Sequence, residues 1–379
     1  MSRFSDLVLK HARDLAGYFP APPTDADSQL IKLDSNENPF GPSPRAIIGV
    51  QSALGTANFY PDDNCLELRA RLAAYHHVSV EQVLVTAGST EMLSLLCQTT
   101  LAPGLNAVTS ERSFIVYRML VQATGGLLIQ TPMRANSFDL NAILAAINDD
   151  TRLVLLANPN NPTGTMLEAG RVDNFLAKVP KHVVVVLDEA YCDYAQAFAK
   201  LRGHDYSHSL SYVKQGASVV VLRTFSKAHG LAGLRVGYGL GPAELLAYCA
   251  RMQSTFSVSS VAQSAALAAL EDHDHIAQAV DNNISQTRIL TDRLAELKIR
   301  VVPTSANFLY CDVGRDASHV AARLRAEGVS VRPLNAWGAP NCIRVTIGTP
   351  VQNTKFLAAI RTIMGDSPEP APAPGANLR

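Results

Sequence analysis

Five consecutive apolar residues, Val183 to Leu187, limit the possible folds of this chain more than any other segment. A half-exposed strand alternates apolar and polar side chains, whereas a strand covered on both faces is apolar throughout. Further short apolar runs occur near residues 83–86, 106–109, 127–130, 153–157 and 219–223, separated by turns and amphipathic segments. This alternation predicts an α/β fold with a mostly parallel sheet sandwiched by helices. We expect the Val183 strand at its centre.

A seventh apolar stretch, Leu234 to Leu240, follows the run that ends at Leu222. Only about ten residues separate the two, which is short for a crossover helix between parallel strands. The sequence therefore predicts a seven-stranded sheet in which the seventh strand runs antiparallel.

The pattern changes to helix after Gly241. A long segment repeats apolar residues at intervals of four, first at Ile276, Val280 and Ile284 and then at Leu290 and Leu294. This segment is predicted to be a helical spine between two domains.

Beyond the spine, ANFLYCDV, VSVRPL and CIRVTIGT have the pattern of strands, and RLRAEG and residues 351–363 that of helices. We assign residues 45–270 to a large cofactor-binding domain. A smaller α+β domain comprises residues 1–44 and 271–365. Residues 366–379, rich in Pro and Ala, are expected to be a disordered tail.

Composition excludes several classes of function. Lys plus Arg equals Asp plus Glu at 33 each, so no excess positive charge favours nucleic acid. No apolar run reaches the length of a membrane span, and the first residues lack a signal peptide, so we expect a cytoplasmic protein. The six cysteines form no C-x-x-C pair and the ten histidines show no metal-binding spacing, so we predict reduced thiols and no metal site.

Lys227 lies in the segment LRTFSKAHGLAGLRVGYG, just after a predicted strand. Burial lowers the pKa of a lysine and makes its amine a nucleophile that can form a Schiff base. Thr224, Ser226 and Arg235 lie nearby in the sequence and suit an anionic phosphate. A lysine that only extends its amine to solvent is the alternative reading.

Other polar residues also follow predicted strands. In VLVTAGSTEMLSLL, Ser89 and Thr90 would begin a helix whose free N–H groups bind an anion, although a plain N-cap has the same pattern. Asp188, in LDEAY, would lie at the carboxyl edge of the sheet and could pair with a protonated pyridine nitrogen or cap a helix. The turn in LLANPNNPTG would point Asn161 to the same edge, with Asn158 as a second candidate; an ordinary loop is the alternative.

With these residues identified, the chain resembles the class I/II, fold type I aminotransferases over about residues 30 to 365, and within them most closely the histidinol-phosphate branch. The matching segments are KLDSNENPFGPSP, NFYPD, TAGSTE, NPNNPTG, LDEAY, RTFSKAHGLAGLRVGY and IRVTIGT.

The resemblance implies a pyridoxal 5'-phosphate enzyme. Lys227 would carry the cofactor covalently and transfer the proton, Asp188 would pair with the ring nitrogen, and Tyr117 would stack on the ring. Core packing remains an alternative role for Tyr117. Asn161 and Tyr191 would hydrogen-bond the ring oxygen. The implied phosphate ligands are Ser89, Thr90, Thr224, Ser226 and Arg235.

At the substrate end, the resemblance implies that Arg344 grips an anionic group and that Arg332 is a second arginine there. Tyr60 would reach in from the partner subunit, which implies a homodimer with shared active sites. The implied substrates are small molecules.

The expected reaction transfers an amino group between L-histidinol phosphate and 2-oxoglutarate, a step of histidine biosynthesis. An aromatic amino-acid aminotransferase and a threonine-phosphate decarboxylase are alternatives with the same cofactor. A non-catalytic cofactor-binding regulator is an alternative of another class. Such regulators usually carry an added DNA-binding domain, and the roughly thirty residues before the first motif are too few for one.

Overall fold

The computed structural model describes residues 7–15 and 30–365, and the predicted tail at 366–379 lies outside them. The α-helices are α1 Lys10–Asp14, α2 Pro44–Leu54, α3 Leu66–His76, α4 Ser89–Thr100, α5 Val116–Ala123, α6 Leu140–Ala146, α7 Ala169–Leu176, α8 Cys192–Arg202, α9 Ser209–Lys214, α10 Ala243–Met252, α11 Ser260–Leu270, α12 His273–Glu296, α13 Ala317–Ala326 and α14 Pro350–Gly365. Short 3-10 helices occupy Val80–Gln82, Ala232–Leu234 and Asn335–Trp337.

The strands are β1 Ile31–Lys32, β2 Val83–Thr86, β3 Asn106–Ser110, β4 Leu127–Thr131, β5 Met133–Arg134, β6 Ser137–Phe138, β7 Thr151–Ala157, β8 Val184–Asp188, β9 Val219–Thr224, β10 Gly237–Leu240, β11 Arg300–Val302, β12 Phe308–Asp312, β13 Val329–Ser330, β14 Arg332–Leu334 and β15 Ala339–Thr346.

The large sheet has seven strands in the order β2-β10-β9-β8-β7-β3-β4. The predicted mostly parallel sheet is confirmed, and the apolar strand β8 is its central member. The predicted antiparallel seventh strand is also confirmed, because β10 runs antiparallel to both β2 and β9. The carboxyl ends of the other six strands therefore lie at one edge, where the polar residues predicted from the sequence follow them.

Helices cover both faces of this sheet, which explains why its central strands contain no alternation. Val185 and Leu187 of β8 belong to a hydrophobic cluster that includes residues of α3, α7 and α11. Val186, between them, belongs to a second cluster that includes residues of α4, α5 and α10. Since each strand residue is buried by one helical layer or the other, both sides of the strand favour apolar residues.

A separate hydrophobic cluster lies around the smaller sheet, β11-β12-β15-β14, in which every neighbouring pair is antiparallel. It includes Leu290 and Leu294 from the end of α12, whereas Ile276 and Val280 pack near Tyr191. The predicted spine is thus one helix whose two ends contact different clusters. The sequence-based interpretation did not identify β11.

The N-terminal part of the described chain also joins the second cluster. Strand β1 pairs in parallel with β13, and Leu33 packs with the residues of α13 and α14. Both contacts support the proposed domain division, with residues 45–270 in one domain and residues 1–44 and 271–365 in the other. That division stays a prediction.

Within the described parts of the chain, no helix is both long and apolar enough to cross a membrane.

Candidate active site

A cavity of about 580 Å³ lies at the carboxyl edge of the large sheet and extends to the smaller sheet. It brings together most of the site residues predicted from the sequence. Those that line it are Ser89, Thr90, Asn161, Asp188, Tyr191, Thr224, Ser226, Lys227, Arg235, Arg332 and Arg344. Tyr60 and Tyr117 do not line it.

One end of the cavity has the chemistry of an anion site. Ser89 and Thr90 are the first residues of α4, and Gly88 is its N-cap, so backbone N–H groups are free there. The plain side-chain cap is not present, because this helix has no side-chain capping hydrogen bond. A Cβ on Gly88 would lie 2.5 Å from Nη2 of Arg235, which puts the guanidinium against the same turn.

Hydroxyl groups complete this end. The Thr224 hydroxyl donates to the Ser226 hydroxyl at 2.9 Å, and Nη1 of Arg235 donates to Ser226 at 3.3 Å. Helix N–H groups, two hydroxyls and a guanidinium therefore converge, as a phosphate dianion requires.

Lys227 follows β9 in an irregular loop, and its amine Nζ donates to the backbone oxygen of Ser35 at 3.1 Å. Burial, followed by the positive charge of Arg344, lowers the pKa of this amine to about 8. At neutral pH about a tenth of the amine is therefore unprotonated and able to attack a carbonyl carbon, far more than for an ordinary lysine. The alternative of a solvated surface lysine does not fit this environment.

Asp188, the last residue of β8, is buried beneath the cavity. Its carboxylate accepts hydrogen bonds from the Tyr117 hydroxyl at 3.0 Å and from the Ala190 N–H at 3.3 Å. Burial raises the pKa of Asp188 to about 6. A cationic partner would favour the charged form of this carboxyl group. Asp188 does not cap α8, because the N-cap of that helix is Tyr191.

Tyr117 requires a correction, because its ring is buried in the core and does not form the cavity wall. Its hydroxyl instead orients Asp188. Phe114, three residues earlier, lines the cavity and contacts the Tyr117 ring edge to face, with ring centres 5.6 Å apart. The sequence-based interpretation chose the wrong aromatic of SFIVY, and Phe114 is the better placed ring for stacking.

Tyr191 and Asn161 form a hydrogen-bonding pair on the cavity wall. The Tyr191 hydroxyl accepts from Nδ2 of Asn161 at 3.3 Å and from Nδ2 of Asn36 at 2.9 Å. Asn158 does not reach the cavity lining, because both ends of its side-chain amide bond the backbone of Leu167. It fixes the loop that carries Asn161.

Arg344 and Arg332 lie directly opposite each other on β15 and β14. Arg344 is buried, and its guanidinium donates to Oδ1 of Asn161 at 2.7 Å and to the backbone oxygen of Asp34 at 2.6 Å. A guanidinium binds an oxyanion in a bidentate manner, and both of these arginines line the cavity. This end of the cavity is therefore suited to the acidic group of a substrate.

Tyr60 lies elsewhere, with 81% of its surface exposed and its ring stacked on Phe256 at 4.4 Å. A shallow surface pocket surrounds it together with Phe59 and Pro61. Its predicted contribution to a partner's site stays a prediction.

Sequence reasoning assigned no role to several lining residues. The segment from Asp34 to Glu37 forms one wall, and Phe114, just before α5, and Trp337, just after β14, also line the cavity. The first segment lies within KLDSNENPFGPSP, so its unusual polar and Pro-rich sequence could have identified it as part of the site. Within residues 7–15 and 30–365, no group of three or more His, Cys, Asp or Glu side chains is arranged to hold a metal ion.

The residues fit a phosphorylated aromatic aldehyde cofactor. The anion site would hold its phosphate, Asp188 a protonated ring nitrogen, and Tyr191 with Asn161 a ring oxygen, while the Lys227 amine would bond its carbonyl carbon. The absence of a Cβ at Gly88 leaves the space that Arg235 needs to close the phosphate end.

Comparison with known proteins agrees with this chemistry. The family model "Aminotransferase class I and II" matches residues 28–360. Histidinol-phosphate aminotransferase 2 of Pseudomonas fluorescens strain Pf-5 is 41% identical over 95% of this chain and 98% of its own length. Histidinol-phosphate aminotransferase of Moorella thermoacetica is 43% identical over 88% of this chain and 86% of its own length.

A solved structure is also similar along nearly its whole length. Histidinol-phosphate aminotransferase from Sinorhizobium meliloti, in complex with pyridoxal-5'-phosphate, has a TM-score of 0.86 and 27% identity, covering 96% of this chain and 98% of that one. This chain belongs to the class I and II aminotransferase family.

Proposed function

We propose that this protein is a pyridoxal-phosphate-dependent aminotransferase that moves an amino group between L-histidinol phosphate and 2-oxoglutarate. The observation that carries the proposal is one cavity with an anion site, Asp188 and a low-pKa Lys227 at one end, and two opposed arginines at the other. The similarity to histidinol-phosphate aminotransferases over nearly the whole chain supports the choice of substrate.

When bound, pyridoxal phosphate supplies an electron sink that stabilises negative charge on the carbon bearing the amino group. Asp188 keeps the ring nitrogen protonated, because a buried carboxylate is stable only next to a positive charge. Tyr117 holds the carboxylate in position from behind. Phe114 provides an aromatic face at the cavity wall.

Lys227 has two functions in this scheme. Its amine would hold the cofactor between turnovers through the cofactor's carbonyl carbon, and when free it would act as the base for the proton on the substrate carbon. Once protonated, the same nitrogen would be the acid that gives this proton back. A pKa near 8 suits both directions, because the amine changes protonation state readily near neutral pH.

Arg344 and Arg332 position both substrates. The phosphate of histidinol phosphate and a carboxylate of 2-oxoglutarate are both oxyanions that a guanidinium binds in a bidentate manner. Arg332 and Arg344, which are opposite each other in the sheet, can therefore bind the acidic group of each substrate in turn without a change in the site.

A homodimer with shared active sites is part of the proposal. Apolar side chains on α2 and in the segment after it are exposed, including Ile48 at 63%, Leu54 at 56% and Phe59 at 69%. Exposed apolar groups this close together are typical of a protein interface. The proposal also includes a cytoplasmic location, supported by six free and buried cysteines.

A donor panel tests the substrate assignment. Purified holoenzyme is mixed with 2-oxoglutarate and, separately, L-histidinol phosphate, an aromatic amino acid and threonine phosphate. We expect glutamate formation to be fastest with histidinol phosphate, without release of carbon dioxide. A higher kcat/KM for the aromatic amino acid, or carbon dioxide from threonine phosphate, would contradict the proposal in favour of the corresponding alternative.

Subunit complementation tests the shared site. Inactive Lys227→Ala and weakened Tyr60→Ala proteins are mixed, dissociated and reassociated. If Tyr60 acts in the partner's cavity, hybrid dimers contain one intact site, and activity exceeds that of either parent. Activity no higher than the sum of the separate parents would contradict the sharing of Tyr60.

A further inference from the structure

Trp337 is the chain's only tryptophan, and it forms part of the cavity wall. It ends the short 3-10 helix Asn335–Trp337, which directly follows the strand that carries Arg332. Its partly buried ring packs against the small cluster that includes Tyr310 and Leu334. The ring is therefore fixed to the same structural unit as the substrate arginine.

The N–H group of the Trp337 indole already forms a hydrogen bond within the protein. Its Nε1–H donates to the backbone oxygen of Ser113 at 2.9 Å. Ser113 directly precedes Phe114, so this bond ties the segment with Arg332 to the segment that provides the cavity's other large ring. Because the only donor of the side chain is engaged, Trp337 offers a ligand its aromatic surface alone.

The cavity wall near Trp337 differs from the arginine end. Phe114 and Ile115, which follow Ser113, line it, and Met119 and Leu120 of α5 also line the cavity; all four present mainly apolar groups. Histidinol phosphate has a matching division, with a phosphate at one end and an imidazole ring at the other. Glutamate has a second carboxylate where the ring would be.

We propose that Trp337 is a specificity-determining residue that packs against the imidazole ring of the amino donor. This inference rests on the proposed function and deepens it. The face of an indole stacks on other aromatic rings and is the strongest aromatic partner for a cation, so it favours imidazole over an aliphatic side chain. Arg344 and Arg332 bind the acidic end that both donors share, while Trp337 binds the part in which they differ.

The test compares two variants of the holoenzyme with three donors. Trp337→Phe keeps an aromatic ring but loses the N–H donor, and Trp337→Leu keeps an apolar side chain without a ring. The donors are L-histidinol phosphate, glutamate and alaninol phosphate, which keeps the amine and the phosphate but lacks the ring. For each protein the kcat/KM ratio of histidinol phosphate to alaninol phosphate is measured.

We expect Trp337→Leu to lower this ratio by about tenfold, mainly through a higher KM for histidinol phosphate, and Trp337→Phe to lower it by less than about threefold. An equal loss with all three donors in both variants would overturn the inference, because it would mean that Trp337 acts only through Ser113. An unchanged ratio in Trp337→Leu would overturn it too. Failure of the unmodified enzyme to use histidinol phosphate would contradict the proposed function and, with it, this inference.

Discussion

The two ends of the cavity are built in different ways. At the cofactor end, Ser89, Asp188 and Lys227 each come within three residues of the carboxyl end of a strand in one sheet. At the substrate end, Asp34 meets Arg344, 310 positions later in the chain, through a hydrogen bond. The first end follows from the topology of a single sheet, whereas the second depends on how distant segments pack together.

This difference explains which chemistry is fixed and which is adjustable. A residue that binds the cofactor could move only if the strand order or the pairing register of the large sheet changed. The substrate wall can change through short segments such as Asn335–Trp337, which lie outside the large sheet. We therefore expect changes at the two ends to have separable effects, and the following experiments test that separation.

Lys227→Ala should give the largest loss, since this amine at the cofactor end also acts on the substrate. We expect turnover to fall by at least about 10⁴-fold, because the nucleophile and the proton carrier are both lost. The visible absorption of the bound cofactor should shift to that of the free aldehyde. Steady-state assays and absorption spectra measure both effects.

Lys200→Ala, on the outer surface of α8, is the matched control and should behave like the unmodified protein. Substantial turnover by the Lys227 variant would remove the central assignment.

Arg344→Ala should weaken substrate binding most, and it should also raise the pKa of Lys227, because the amine loses a nearby positive charge. We expect the KM values for histidinol phosphate and for glutamate to rise together by about 100-fold, because one buried guanidinium serves both anions. Cofactor content, measured by absorbance, should remain near one per chain. Arg300→Ala, in the same sheet but largely exposed, is the control. A rise for only one substrate would disprove the common site.

Gly88→Ala should affect only the cofactor end. The residue has a φ of +80°, and a Cβ would lie 2.5 Å from the Arg235 guanidinium, so that group must move. We expect about tenfold to thirtyfold weaker binding of pyridoxal phosphate in a titration of the apoprotein, with unchanged KM values at saturating cofactor.

Gly203→Ala is the matched control, since this residue has a similar φ of +71° and no atom near its would-be Cβ. Equal cofactor losses in the two variants would point to backbone strain and would rule out the contact with Arg235 as the cause.

The pH dependence of cofactor attachment should be the smallest effect. Since burial lowers the pKa of Lys227 to about 8, and only the neutral amine attacks, the rate of reconstitution should rise as pH increases through 8 and then level off. Between pH 7 and 9 the increase should be about tenfold. A rate that still increases steeply above pH 10 would indicate an unperturbed lysine. Stopped-flow absorbance of apoprotein mixed with pyridoxal phosphate measures this rate.

Much of the large sheet could be predicted because its physical causes are local in sequence. The apolar sequence of β8 results from burial of the strand on both faces, and the connection from β9 to β10 is too short for a crossover helix. Strand β11 was missed because its residues, Arg300 to Val302, are at most half-buried and too few to show a pattern.

Within the site, local sequence could identify strand-end residues but not choose between neighbours. Phe114 lies two residues before α5 and Tyr117 is the second residue of that helix, so sequence spacing alone does not decide which ring faces the cavity. Tyr117 is drawn inward by the buried carboxylate of Asp188, which is 71 positions away in the chain. The wall from Asp34 to Glu37 has a recognisable polar and Pro-rich sequence, but its position in the cavity depends on Thr346 and Ser330, which are distant in the chain.

Gly237 and Thr224 are paired in the sheet, so the loop formed by residues 225–236 has both of its ends held together. Lys227 and Arg235 both belong to this loop, so the addition or removal of one residue would change the positions of the amine and of the guanidinium together. Amino-acid replacements in this loop can be compensated one by one, but insertions and deletions cannot. Among homologues of this chain, we therefore expect the length of the loop to vary less than its composition.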